Sequence, residues 1–147
     1  MTVVAALRVA VAAVAFAVIG AAAQAPDPEP SPADWNAIRA VVEDQRAAIV
    51  AGDARRAFAY ATPGIRARFG DARTFLAMVR GAYAPLAEAR SAQPLEGVIV
   101  EGRVVQPLQL VMEDGAVMIA IYTMQRQPGG HWRISGCVIA ESALRST

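Results

Sequence analysis

Between Tyr122 and Ile139 the chain alternates apolar and polar residues on both sides of Pro128-Gly129-Gly130. This period-two pattern around a glycine turn predicts two antiparallel strands. A two-residue Gly129-Gly130 loop would set Gln125 opposite Ile134. A three-residue loop that includes Pro128 sets Met124 opposite Ile134 and Tyr122 opposite Gly136. The second register keeps apolar with apolar and is the one expected, because register follows the hydrophobic pattern.

Other strand-like runs are Val98 to Val100, Val104 to Met112 and Ala116 to Arg126, with the last strand covering His131 to Ala140. Asp114-Gly115 is a strong two-residue hairpin signal. With that turn Leu110 faces Ile119, Leu108 faces Ile121, and Gln106 faces Thr123. One face then carries Val105, Val111, Met118, Tyr122, Met124, Trp132, Ile134 and Val138. The other carries Leu108, Leu110, Met112, Ile119, Ile121, Cys137 and Ile139 at one end, and Gln106, Thr123, Gln125, Arg133 and Ser135 at the other. Both faces are too apolar for either to meet water alone. Helices are expected to cover one, leaving the second to a cavity or to a second copy in a homodimer.

The preceding part of the chain has helical spacing. Ser31, Pro32 and Asp34 form a helix start. Trp35, Ile38, Val41, Val42, Ala48 and Ile49 recur on one side until Gly52. Asp53 caps a short helix through Ala57, Phe58 and Ala61, which Thr62-Pro63-Gly64 interrupts, and Ile65 to Phe69 reads as one further turn. Asp71 caps a third helix that buries Phe75, Met78, Val79 and Ala82, and Pro85 closes the helical half. Three helices followed by a meander of about four strands define an α+β class rather than an alternating α/β one.

Residues 1–23 have the form of a signal peptide: Arg8, an apolar run from Val9 to Ile19, and small residues before a cut after Ala23. The run is too short for the roughly 20 residues of a spanning helix. The expected organisation is therefore a leader (1–23), a Pro-rich mature N-terminus (24–33), one α+β domain (34–141) and a short tail (142–147), exported to the periplasm or medium with no stable membrane insertion. Cys137 is the only cysteine, so the fold stands without a disulfide.

The chain has 14 basic and 13 acidic residues. Removal of Arg8 with the leader leaves 13 of each, and no global charge draws the protein to nucleic acid or anionic membrane. Every basic residue is Arg, which excludes Schiff-base chemistry and a P-loop lysine. Seven Arg and two acids lie between Ala54 and Arg90, a basic stretch that suits an acidic protein or an ordinary solvated helix face. His131 stands alone beside a turn, so neither a metal site nor a Cys-His dyad is expected. Glu96, Glu101, Glu113, Asp114 and Glu141 fall at strand ends or turns, so no inward carboxylate base is apparent. The best polar constellation is Gln106, Thr123 and Ser135 across three strands, with Arg133 one step along. It would orient a small polar or anionic ligand, or serve as a plain cross-strand ladder. Tyr60, Tyr83 and Tyr122 would line a pocket or fill the core.

The run Ala57-Phe-Ala-Tyr-Ala-Thr-Pro-Gly-Ile-Arg-Ala-Arg-Phe-Gly70 resembles an uncharacterised bacterial family of small exported domains. So do Phe75, Met78-Val-Arg80, Tyr83, Gln106, Tyr122-Thr-Met124 and Gly130-His-Trp-Arg-Ile-Ser-Gly136. The likeness spans Ala33 to Ile139 and points to the nuclear-transport-factor-two-like, or cystatin-like, superfamily. It implies a cone of three helices wrapped by a curved antiparallel sheet, with a pocket and dimerisation through the sheet, but no particular activity. The reading is an exported, non-catalytic binding or interaction module without a cofactor. Its alternative is a small pocket enzyme of the isomerase or hydratase type.

Overall fold

The computed structural model describes residues 28–146, so the expected leader lies outside the described residues. Among the described residues the fold is α+β, with five helices followed by an open antiparallel sheet of five strands. None of these helices is long and apolar enough to cross a membrane.

Helix α1 (Pro32–Ala51) starts with a reciprocal capping box. The Asp34 N–H donates to Ser31 Oγ at 3.1 Å, and the Ser31 N–H donates to Asp34 Oδ2 at 2.9 Å. It stops at Gly52, whose φ of 72° is the left-handed cap that a side chain adopts poorly. The caps expected for α2 (Ala54–Ala59) and α4 (Ala72–Ala82) hold, Asp53 and Asp71 each accepting a first-turn N–H, and Thr62, read in the sequence only as part of an interruption, caps α3 (Pro63–Phe69) in the same way. Two expectations fail here. Pro85 does not close the helical half but sits in the first turn of α5 (Ala84–Glu88), where its missing N–H leaves no bond unmade. In α4 the core takes Phe75, Leu76 and Val79, while Ala82 is exposed.

Strands β1 (Ser91–Pro94) and β2 (Val98–Val100) follow each other along one edge of β3 (Arg103–Val111), to which both pair. Next come β4 (Ala116–Arg126) and β5 (Trp132–Arg145), in the order β1-β3-β4-β5. The expected four rows are present, with β1 as an added segment and β5 continuing past Ala140. Between β1 and β2 stands Gly97, which gives way to the Trp35 ring: a Cβ built there would lie 2.2 Å from Trp35 Cζ3.

The Pro-Gly-Gly loop has the expected three residues and sets Met124 opposite Ile134. The other hairpin corrects the sequence reading. Its loop is Glu113-Asp114-Gly115, because the Met112 N–H donates to Ala116 O and Gly115, at φ 83°, donates to Met112 O. A three-residue loop ending in a left-handed glycine competes with the two-residue turn for the same sequence. The slip of one residue turns β3 over: Gln106 faces Tyr122, Leu108 faces Ala120, and Leu110 faces Met118. A second correction lies in β5, where Ser135 is bulged out between the Met124–Ile134 and Thr123–Gly136 pairs. The bulge puts Cys137, not Gly136, opposite Tyr122 and brings Cys137 and Ile139 onto the helix side.

The core therefore lies between one sheet face and the helices. Ile38, Val42 and Ile49 of α1 meet Leu108, Leu110, Ala120 and Tyr122, all at most 1% exposed. On the opposite face Val105, Val111, Ile119 and Ile121 are half-buried, and Val138 is 36% exposed.

Two ties hold the layers in register. The Asp34 carboxylate accepts a two-pronged fork from Arg126 (3.1 and 3.0 Å) and a third bond from the Trp132 indole (3.1 Å), with the guanidinium 4.6 Å above the Trp132 ring. The Arg126 bond, then the helix-cap bond to Ser31, hold the Asp34 carboxyl well below the usual carboxylate range. At the other end the Thr62 N–H donates to Ile134 O (2.9 Å) and the Ile134 N–H to Tyr60 O (2.8 Å), lacing the α2–α3 link to β5.

Candidate functional site

A hollow opens where the helices fail to fill the concave side of the sheet. Its helical wall is Gln45 and Ile49 of α1, Ala61, Ile65 and Phe69 around α3, Phe75, Met78 and Val79 of α4, and then Tyr83 and Leu86. Its floor is Tyr122, Ile134, Gly136 and Cys137. Its volume is about 50 Å³, room for a few waters. The aromatic wall is held by ring contacts: Phe75 stands 5.3 Å from Phe58 and edge-on to Phe69 at 5.8 Å.

The lining is apolar apart from a few groups, and no lining residue is an acid. Gln45 donates its amide to Ala57 O at 3.1 Å. The Tyr122 hydroxyl is fully buried and has no hydrogen-bond partner. Burial pushes Tyr122 well above the ordinary tyrosine value, and pushes the Cys137 thiol and the Tyr83 hydroxyl each up to about 12. Cys137 is intermediate in overall exposure, is packed against the core and is among the residues that line the hollow. The Tyr83, Tyr122 and Cys137 side chains are thus uncharged at physiological pH.

These raised values imply an alkaline limit. The folded Cys137 and Tyr83 keep their protons at pH values where the unfolded chain releases them. Their contribution is complete below about pH 8.5 and is lost as pH climbs toward 12. The denaturant midpoint should fall steadily above about pH 9, and Cys137 should resist thiol reagents until the chain unfolds. A flat midpoint across this range, with rapid labelling of the native protein, would contradict the burial of these two groups.

Of the residues singled out in the sequence, the structure gathers only Tyr83 and Tyr122 at the hollow. Tyr60 donates its hydroxyl to Asp44 Oδ2 at 3.2 Å, outside the lining. The polar row does not assemble. Gln106 lies on the core face, its amide nitrogen on Leu95 O (2.7 Å) and Pro107 O (2.9 Å), while Thr123 lies on the other face beside Gly136. Ser135 is the bulge residue and donates to Thr123 O, and Arg133 donates to Trp132 O. The slip of β3 and the bulge of β5 undo the row together.

The basic stretch is also partly engaged. Arg66 stacks over Phe58, Arg80 donates to Ile49 O, and Arg56 pairs with Asp44. The sequence reading missed Gln45 and Cys137 as lining residues. A glycine inside a strand pattern marks bulges, so Ser135-Gly136 carried the signal that would have turned Cys137 inward.

A family model described as a domain of unknown function, DUF4864, matches residues 31–147. No curated protein and no solved structure matches the chain.

Proposed function

The chain belongs to the DUF4864 family, and from that premise we propose that it is an exported, non-catalytic binding module whose hollow takes a small, mainly apolar molecule. The observation that carries this reading is an apolar hollow between helices and sheet with no carboxylate among its lining residues. An isomerase or hydratase in such a cavity needs a base within reach of the reacting carbon. Among the lining residues there is none to play that part. Helices on one side of an antiparallel sheet with a hollow between them also suit the nuclear-transport-factor-two-like cone. The leader in residues 1–23 supports export to the periplasm. The aliphatic outer face, with Ile119, Ile121 and Val138, favours a homodimer through the sheet.

Native mass spectrometry of protein purified from its own host tests the reading. The expected chain begins at Gln24, is dimeric, and carries a small molecule released on denaturation. A preparation that holds no ligand and gains no thermal stability from a panel of small apolar compounds would remove the binding reading. Turnover that survives loss of the hollow's side chains would point to chemistry elsewhere.

A further inference from the structure

We propose that the exposed arginines around α2 form a docking surface for an acidic segment of a partner protein, an extended run in which Asp or Glu recurs at every second residue. From Asp53 to the end of α4 the chain carries Arg55, Arg56, Arg66, Arg68, Arg73 and Arg80, all exposed, and only two acids, Asp53 and Asp71. Both acids are engaged as helix caps, accepting the N–H groups of Arg56 and Thr74. Asp44 pairs with Arg56, and Asp71 lies in the field of Arg73. Arg55, Arg66 and Arg80 are left without an ion pair among the described residues.

These three arginines reach α2 from three elements. Arg55 stands in its first turn, and Arg66 of α3 stacks over Phe58 of α2 at 5.7 Å. Arg80 of α4 donates to Ile49 O at 3.3 Å, and its Nη2 lies 3.1 Å from the position of a Cβ built on Gly52, just ahead of α2. A helix of six residues is only about 9 Å long. Three planar forks are thus gathered over a span like that of an extended strand, in which side chains on one side recur about every 7 Å. The ring stack and the carbonyl bond restrain Arg66 and Arg80 while leaving most of their N–H donors unspent. A guanidinium held in this way gives up less freedom on meeting a carboxylate, and its fork matches the two carboxylate oxygens.

The surroundings select the class of partner. An anionic membrane would also be drawn to this charge, but interfacial binding needs apolar anchors beside it. Val50 is the one large exposed apolar side chain of the described helices, too little for an anchor. Carboxylates on a polypeptide are the better match.

A blocked Glu-Ser-Glu-Ser-Glu peptide titrated into the ¹⁵N-labelled protein at low salt tests the proposal. The neutral control is Gln-Ser-Gln-Ser-Gln, and phosphatidylglycerol vesicles represent the membrane. The acidic peptide should shift amides between Ile49 and Ala67, and binding should weaken as salt rises. Arg55→Gln, Arg66→Gln and Arg80→Gln together should lower affinity about 10-fold, each exposed pair contributing a small share. Arg103→Gln, on β3, should leave it unchanged. Lys at the three positions should recover only part of the loss, because charge returns without the fork.

Equal binding of the neutral peptide, shifts spread over the whole surface, or full affinity in the triple variant would overturn the assignment. Tighter binding to the vesicles would overturn it too, as would no shift at millimolar peptide. Should the triple variant fold poorly, Arg55→Gln alone decides: Arg55 has no bonding partner among the described residues, and its loss should weaken binding about 2-fold.

Discussion

Asp34→Ala is expected to lower the melting temperature by on the order of 10 °C, since the one carboxylate serves a helix cap, an arginine fork and an indole. The substitution frees the first turn of α1 and also leaves the Arg126 guanidinium, half-buried beside Trp132 with its Nε already unpartnered, without its counter-charge. The direction with pH follows from the depressed carboxyl. A carboxyl that is more acidic in the fold than in the unfolded chain stabilises fully above about pH 4, and the contribution disappears as pH falls toward the folded value. Asp34→Asn should therefore flatten the acid side of the stability profile. Thermal scans of the wild type and both variants from neutral to acid pH check this, and an unchanged acid limb in Asp34→Asn would show that other carboxylates set it.

Gly97→Ala should cost about 2 kcal/mol, at the upper end of what one added methyl does, because the obstacle is a rigid ring. The new Cβ would stand 2.2, 2.5 and 2.9 Å from three Trp35 ring carbons. Trp35 then swings off the β1–β2 link or the link moves off β3, and either response should change the tryptophan fluorescence of the native protein. Gly81→Ala provides the contrast: Gly81 is in α4 with nothing within 4 Å of the added methyl, and should stabilise by about 0.5–1 kcal/mol through helix propensity. Urea denaturation of both variants gives the two signs. A neutral Gly97→Ala would mean that the Trp35 contact contributes nothing.

The interactions legible in the sequence were those closed within a few residues. Ser31, Asp53 and Asp71 cap helices because each side chain reaches an N–H three positions on. The Pro-Gly-Gly loop was legible for a similar reason, as apolar pairing beside it favours one register. Glu113-Asp114-Gly115 offered two turns of similar merit, and the wrong choice inverted a whole strand. Asp34 was visible as a cap, yet its Arg126 partner is 92 residues away and no local pattern signals it. The polar row failed because it multiplied two register errors. Tyr83, just past α4, and Tyr122, on β4, were named as residues that would line a pocket or fill the core, and both border the hollow, although the sequence left open which sheet face the helices cover.

The main-chain lacing of Tyr60 and Thr62 to Ile134 also bears on how fast a guest can come and go. With that seam closed, the helical wall and the floor cannot part without breaking peptide hydrogen bonds, so access runs past side chains instead. Phe69 and Met78 are half-buried lining residues, and rotamer changes of partly exposed side chains take nanoseconds or less. On the binding reading proposed above, exchange of a small guest would be governed by ring and thioether rotation and not by rearrangement of the fold, and the hollow would equilibrate rapidly with its surroundings rather than act as a trap.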